Sequence, residues 1–254
     1  MLGVRVIPTL LLRNGGLVKG AQFQNHKYVG DPINAVKIFN EKEVDEIVFL
    51  DISATKEARE PNYELIKDIA SEAFMPFGYG GGISSVTQIE KLFSIGVEKV
   101  IINSEAYNNP KLITDASSIA GTQSIVVSID VKKSFFGKYE VFINNGTKNT
   151  KQNPIEYAQK MQALGAGELI ICNISNEGME AGFDTKLLNK ISNAVDIPVV
   201  ASGGAGTLED FSDAYHQGQV SAVAAGNMFV FYGRHKAVLI TYPEYNELEK
   251  LFGR

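Results

Sequence analysis

The chain holds one cysteine, Cys172, and three histidines, His26, His216 and His235, which are scattered without ligand spacing. A single cysteine excludes an internal disulfide and fits a reducing, cytoplasmic setting. With no paired cysteines and no clustered histidines, the residue pattern for a metal centre is missing and none is expected. No apolar stretch reaches the roughly 18 to 20 residues of a membrane span, and the N-terminus lacks a secretory-signal layout. Positive charge is in deficit, with 24 Lys and Arg against 29 Asp and Glu, a net charge of −5. That balance gives no electrostatic footing for nucleic acid or an anionic membrane. Neither a Gly-x-Ser-x-Gly elbow nor a Walker loop occurs. No low-complexity linker interrupts the 254 residues, of which 44% are hydrophobic. Residues 1–254 are therefore expected to form one domain with a sizeable core.

What remains is regular. Apolar runs near 4–12, 46–52, 75–79, 99–103, 125–130, 168–173, 198–202 and 221–225 alternate with amphipathic stretches. The helical ones include 32–42, 60–73, 85–95, 154–164, 184–194 and 207–217. Short β-branched runs separated by helices predict parallel strands covered on both faces. Eight such units match the size and count of a (β/α)8 barrel. A doubly wound open sheet is the alternative, but it does not account for two equal halves. The polar stretch from Lys132 to Asn153 reads as a hairpin excursion after the fifth strand, with Tyr139–Ile143 strand-like.

The halves resemble each other. Asp45–Ser53 lines up with Gly167–Ser175, and Pro76 with Pro198, both at an offset of 122 residues. That is too long for a solenoid unit of about 20 to 50 residues and predicts half-barrels of about 1–122 and 123–254. Each half carries a glycine-rich turn, Gly80-Gly81-Gly82 and Gly203-Gly204-Ala205-Gly206, between an apolar run and an amphipathic stretch. A second small polar element follows each, Asn103-Ser104 and Gly226-Asn227. Strand, glycine turn and helix start together form a phosphate cradle, because backbone N–H groups point outward and the helix dipole favours an anion. Two cradles predict a ligand with a phosphate at each end, held by Gly81, Gly82, Asn103, Ser104, Ser202, Gly203, Gly204, Gly226 and Asn227.

In a barrel the chemistry sits where the strands end. Asp130 closes the run Ile125–Ile129 and is the foremost acid–base candidate, since partial burial raises a carboxyl toward useful values. The alternative is a carboxylate that caps a loop. Asp51 ends the second run. Lys19, in a glycine-rich stretch, either reaches over the mouth toward an anionic ligand or is simply solvated. The first run, Val4–Leu12, ends with no titratable side chain before Arg13, so no second acid mirrors Asp130. Cys172 reads as a small buried hydrophobe.

Taken together, Val6-Ile7-Pro8, Val18-Lys19-Gly20, Val48–Ile52, Gly80–Ile83, Lys99–Ser104, Val126–Asp130, Leu164–Glu168 and Ala201–Gly206 resemble the HisF family, the cyclase subunit of imidazole glycerol phosphate synthase. The resemblance spans nearly the whole chain. It implies a (β/α)8 barrel that binds a ribulose-bearing nucleotide with phosphates at both ends. It also implies ammonia supplied by a HisH-like glutaminase docked on the N-terminal face. The family's two catalytic aspartates fall at Asp130 and at Leu11, so here the first is replaced by leucine. The strand-6 loop, Ser175–Met179, departs from the family's acidic pattern, and Ala224–Phe229 is one residue longer than usual. Arg5, Glu46, Lys99 and Glu168 match the ring of charges that guards the family's ammonia entrance; singly, each would pass for surface charge. Ammonia delivery kept and one acid lost is similar to the glycosyl amidation-associated, WbuZ-type paralogues. There the barrel works with a glutaminase and an ATP-dependent sugar amidotransferase to form an acetamidino group on a surface-glycan sugar. That is the expectation here, beside two others: the histidine-pathway cyclase with Asp51 as substitute acid, or a non-catalytic barrel that binds a phosphorylated ligand and activates its glutaminase.

Overall fold

The computed structural model describes residues 3–134, 137–233 and 235–253. From the N-terminus, β1 (Arg5–Arg13) leads into a hairpin of β2 (Gly16–Ala21) and β3 (Gln24–Gly30), then α1 (Pro32–Glu41). There follow β4 (Ile47–Asp51), α2 (Tyr63–Glu72), β5 (Phe77–Gly80), α3 (Val86–Ser94), β6 (Lys99–Ile102), α4 (Ser104–Asn108) and α5 (Lys111–Ala120). The second half runs through β7 (Ile125–Lys133), with its excursion β8 (Tyr139–Ile143) and β9 (Lys148–Asn149), to α6 (Pro154–Ala163), β10 (Glu168–Asn173) and α7 (Thr185–Ser192). It closes with β11 (Val199–Ser202), α8 (Leu208–His216), β12 (Ala222–Ala225), α9 (Asn227–Val230), the hairpin β13 (Phe231–Tyr232) and β14 (Ala237–Val238), and α10 (Tyr245–Leu251).

Eight strands, β1, β4, β5, β6, β7, β10, β11 and β12, pair in parallel in that order. β1 pairs with β12, with Arg5 opposite Ala222, and so closes the sheet into a barrel. The chain is a single (β/α)8 barrel, with its strands at the places that the apolar runs predict. The helices start where side chains can cap them. Asp31, Asn62, Ser85, Asn153 and Asp184 each accept a hydrogen bond from a first-turn N–H, which satisfies donors the helix cannot pair itself.

Alternation along each strand divides the apolar residues in two. Val6, Phe49, Val100, Val127 and Leu169 face the helices and join the large outer core. Ile7, Val48, Ile101, Val126, Ile170 and Val200, with Ala222 and Ala224, fill the barrel's interior. Both glycines of β5 are dictated by this packing: a Cβ on Gly78 would lie 2.8 Å from Ile101 Cδ1, and one on Gly80 2.9 Å from Ile101 O. Among the described residues no helix is long and apolar enough to cross a membrane.

One stretch differs from expectation. Asn14–Gly20 is not an open loop: it joins β1 to a strand antiparallel to it, with Leu11 opposite Val18. The hairpin turns at Gln22 and Phe23, both at positive φ (51° and 62°). That is a tight primed turn, normally marked by Asn-Gly, and Gln-Phe gave no such signal. The excursion after β7 is a hairpin as predicted, though Phe135 and Phe136 lie outside the described residues.

Candidate functional site

The carboxyl ends of the barrel strands surround one cavity, whose wall includes Thr9, Leu11, Asp51, Asn103, Asp130, Cys172, Ser202 and Gly226. Two hairpins lean over it. Phe23, at the tip of the first, enters the wall, and its ring passes 3.1 Å from the position of a Cβ on Gly146, in the second. Gln22 holds that tip down: its N–H donates to Glu177 O (2.8 Å) and its Nε2 to Ser175 O (2.9 Å). Asn145, beyond β8, reaches over to donate to Ile52 O.

Asp130 is buried at the end of the inner face of β7, 7% exposed. Its Oδ2 accepts from Asn103 Nδ2 at 3.2 Å, and the same amide donates to Ser128 O at 2.9 Å. Burial pushes this carboxyl up to about 7; the negative charge of Glu177 adds to the rise and the Asn103 bond opposes it. It caps no loop N–H among the described residues. A carboxyl that titrates near neutrality can both give and take a proton at working pH.

Lys19 sits on β2, not in a loop, and is buried rather than solvated. Its Nζ donates to Thr9 O at 2.7 Å. It lies 1.7 Å from where a Cβ on residue 226 would stand, so a side chain there would displace the ammonium. Burial lowers its pKa, while Glu177 and Cys172 act to raise it. Burial likewise drives the Cys172 thiol well up, with Glu177 and Asp130 adding to the rise. Burial thus moves Asp130, Lys19 and Cys172 each toward the neutral form.

Asp51 is built differently. Its Oδ1 accepts from Ser53 N (3.0 Å), Ser53 Oγ (2.9 Å) and Ala54 N (3.1 Å), and its Oδ2 faces Arg59 Nη2 at 3.2 Å. It stands in the wall, with its acceptor capacity spent on the loop after β4.

The two glycine turns are also unlike. Gly81 and Gly82 have φ of +118° and +72° and line the cavity beside Asn103 and Ser104. A Cβ on Gly81 would meet Asp51 O at 2.3 Å. In the second half Ser202 and Gly226 line the cavity, while Gly203, Gly204 and Asn227 lie behind its wall. The stretch 175–182 covers them: Gly182 N donates to Gly204 O (2.9 Å) and Asn227 Nδ2 to Gly178 O (3.2 Å).

At the opposite end Arg5, Glu46, Lys99 and Glu168 form a closed ring. Arg5 contacts both glutamates, and Lys99 Nζ lies 2.8 Å from a carboxylate oxygen of each. Burial works against the Arg5 charge, yet Glu168 and Glu46 outweigh it and raise the guanidinium's pKa. Both glutamates are buried, and each faces both cations.

Two cavity residues escaped the sequence reading. Glu177 lies in a loop expected to be poor in acids, yet it faces the cavity and its charge acts on Asp130 and Lys19. His26 lines the same wall from β3. Periodicity and spacing carry no trace of either, because the hairpin and the covering loop bring them in from outside the strands. Among the described residues no cluster of three His, Cys, Asp or Glu is placed to hold a metal ion.

A closed parallel barrel with a buried acid and glycine turns at its carboxyl mouth, above a floor of paired charges, defines a class of small-molecule barrel proteins. Comparison then identifies the family. A family described as histidine biosynthesis protein matches residues 5–236, and the chain belongs to it, in its HisF branch. A Pseudomonas aeruginosa protein, named provisionally as imidazole glycerol phosphate synthase subunit hisF2, is 51% identical over 96% of this chain and 98% of its own length. A Leptospira interrogans protein with a similarly provisional HisF name is 46% identical over 99% of this chain and 100% of its own. The HisF subunit of Petrotoga mobilis is 44% identical over 89% of this chain and 90% of its own.

Proposed function

We propose that this chain is the cyclase-type subunit of an imidazole glycerol phosphate synthase, using ammonia delivered by a glutaminase partner. The observation that carries this reading is Asp130, a carboxyl buried in the cavity wall at the carboxyl end of the barrel, where burial pushes it up to about 7. The names of the full-length relatives support it. In this reading Asp130 exchanges protons with the substrate. The first glycine turn, Asn103 and Ser104 hold one phosphate; Ser202, Gly203, Gly204, Gly226 and Asn227 hold the other. Lys19 supplies a desolvated positive charge between them, and Asp51 braces the wall. The glutaminase docks below, and ammonia enters through the ring of Arg5, Glu46, Lys99 and Glu168.

A second reading is kept for one reason, Leu11. It faces the cavity where the family resemblance places an acid. It favours a barrel that passes ammonia to a separate ATP-dependent enzyme for sugar amidation. Turnover of the family's doubly phosphorylated nucleotide with saturating ammonium salt separates the two. The cyclase reading expects turnover by the wild type. No wild-type turnover, with a gain in Leu11→Asp, transfers the case to the amidation reading.

A further inference from the structure

We propose that His26 is the second proton carrier of this cavity, working opposite Asp130, an assignment that rests on the cyclase reading above. Addition of ammonia to a carbonyl needs two proton movements. The nitrogen lone pair forms the C–N bond and the C=O electron pair moves to oxygen. The oxygen then takes up one proton and the nitrogen gives one up. Nothing is oxidised or reduced. One group must donate and another accept, and Leu11 can do neither.

The cavity holds few groups free for the second role. Asp51 is engaged by Ser53, Ala54 and Arg59. Lys19 is committed to Thr9 O and wedged over Gly226. Burial drives the Cys172 thiol well up. His26 is half-buried in the wall and makes no hydrogen bond among the described residues. Its ring packs on the hairpin itself, with Cδ2 3.1 Å from the position of a Cβ on Gly20. Burial first, then the charges of Arg13 and Lys19, lower its pKa from 6.5, which favours the neutral imidazole. Glu177, Asp130, Asp51 and Glu105 are the titratable groups on the other walls. An imidazole shifted toward its neutral form and a carboxyl pushed up to about 7, lining one cavity, are a matched acceptor and donor. The strained Gln22–Phe23 turn lies between β2 and β3, so latching the tip to Glu177 and Ser175 also places His26.

The test is the pH dependence of ammonium-driven turnover, with the family's doubly phosphorylated nucleotide as substrate. Wild type is compared with His26→Asn, Glu177→Gln and, as a control on an exposed site, His235→Asn. His26→Asn is expected to lower kcat by roughly 10²- to 10⁴-fold, to leave KM little changed and to remove the acid limb of the profile; His235→Asn changes none of these. An active wild type with a His26→Asn variant of equal kcat removes His26 from the chemistry. So does an acid limb that survives in His26→Asn and vanishes in Glu177→Gln. Histidine NMR of the free wild type gives a check without turnover: a His26 midpoint below 6.5 is expected, and one above it overturns the role. A wild type that titrates as expected but turns nothing over sinks the cyclase reading, and His26's role with it.

Discussion

The two halves of the barrel place their glycine turns, and the acids at their strand ends, in unequal circumstances. The first glycine turn opens on the cavity; the second is covered by residues 175–182. The acids differ in the opposite sense. Asp51, in the first half, has its oxygens occupied by a loop and an arginine, while Asp130, in the second, has no cation partner among the described residues. Symmetry of sequence has thus been spent asymmetrically: one half offers the freer anchor, the other the freer acid.

The largest expected effect tests the acids. Asp130→Asn should lower ammonium-driven turnover by roughly 10²- to 10⁴-fold. Asp51→Asn should cost less than tenfold in rate while destabilising the protein by about 1–3 kcal/mol, because it loosens buried hydrogen bonds. Similar rate losses in both would erase the contrast. An intermediate effect tests the turns. Inorganic phosphate, titrated into the free protein, should lose roughly tenfold in affinity with Ser104→Ala, and much less with Ser202→Ala, whose turn is covered. Equal losses would show that the covering loop opens freely.

The smallest effect is on stability. A carboxyl raised from 3.8 to about 7 in the folded state holds a proton that the unfolded chain releases. Wherever the native state binds more protons, stability falls as pH rises. The Asp130 contribution is therefore favourable near pH 4 and lost by about pH 7. Asp130→Asn, which cannot ionise, should raise Tm more at pH 8 than at pH 4; an equal shift at both would mean that Asp130 titrates normally.

Much of this was legible in the chain. Continuous β-branched runs and regularly placed glycines determine the barrel, because parallel strands must be apolar on both faces and the turns need positive φ. Asp130 was visible because it ends such a run, and the ring of Arg5, Glu46, Lys99 and Glu168 only through the match to the family's charged entrance. Lys19 was left open between a reach over the mouth and a solvated position: a primed turn built from Gln22 and Phe23 has no local signature, so the buried strand that carries it went unseen. Glu177 and His26 stayed hidden for the same reason, since tertiary contacts alone swing them inward.

The floor has a consequence of its own. Arg5, Glu46, Lys99 and Glu168 alternate in sign around the axis and sum to zero. Such an arrangement is a quadrupole, and its field dies away within a few ångströms of the opening. An uncharged solute approaching from below meets no long-range force, whereas an ion must displace a partner from a contact already made. In the reading proposed above, the bottom of the barrel would sort by charge before the ligand is met at the top.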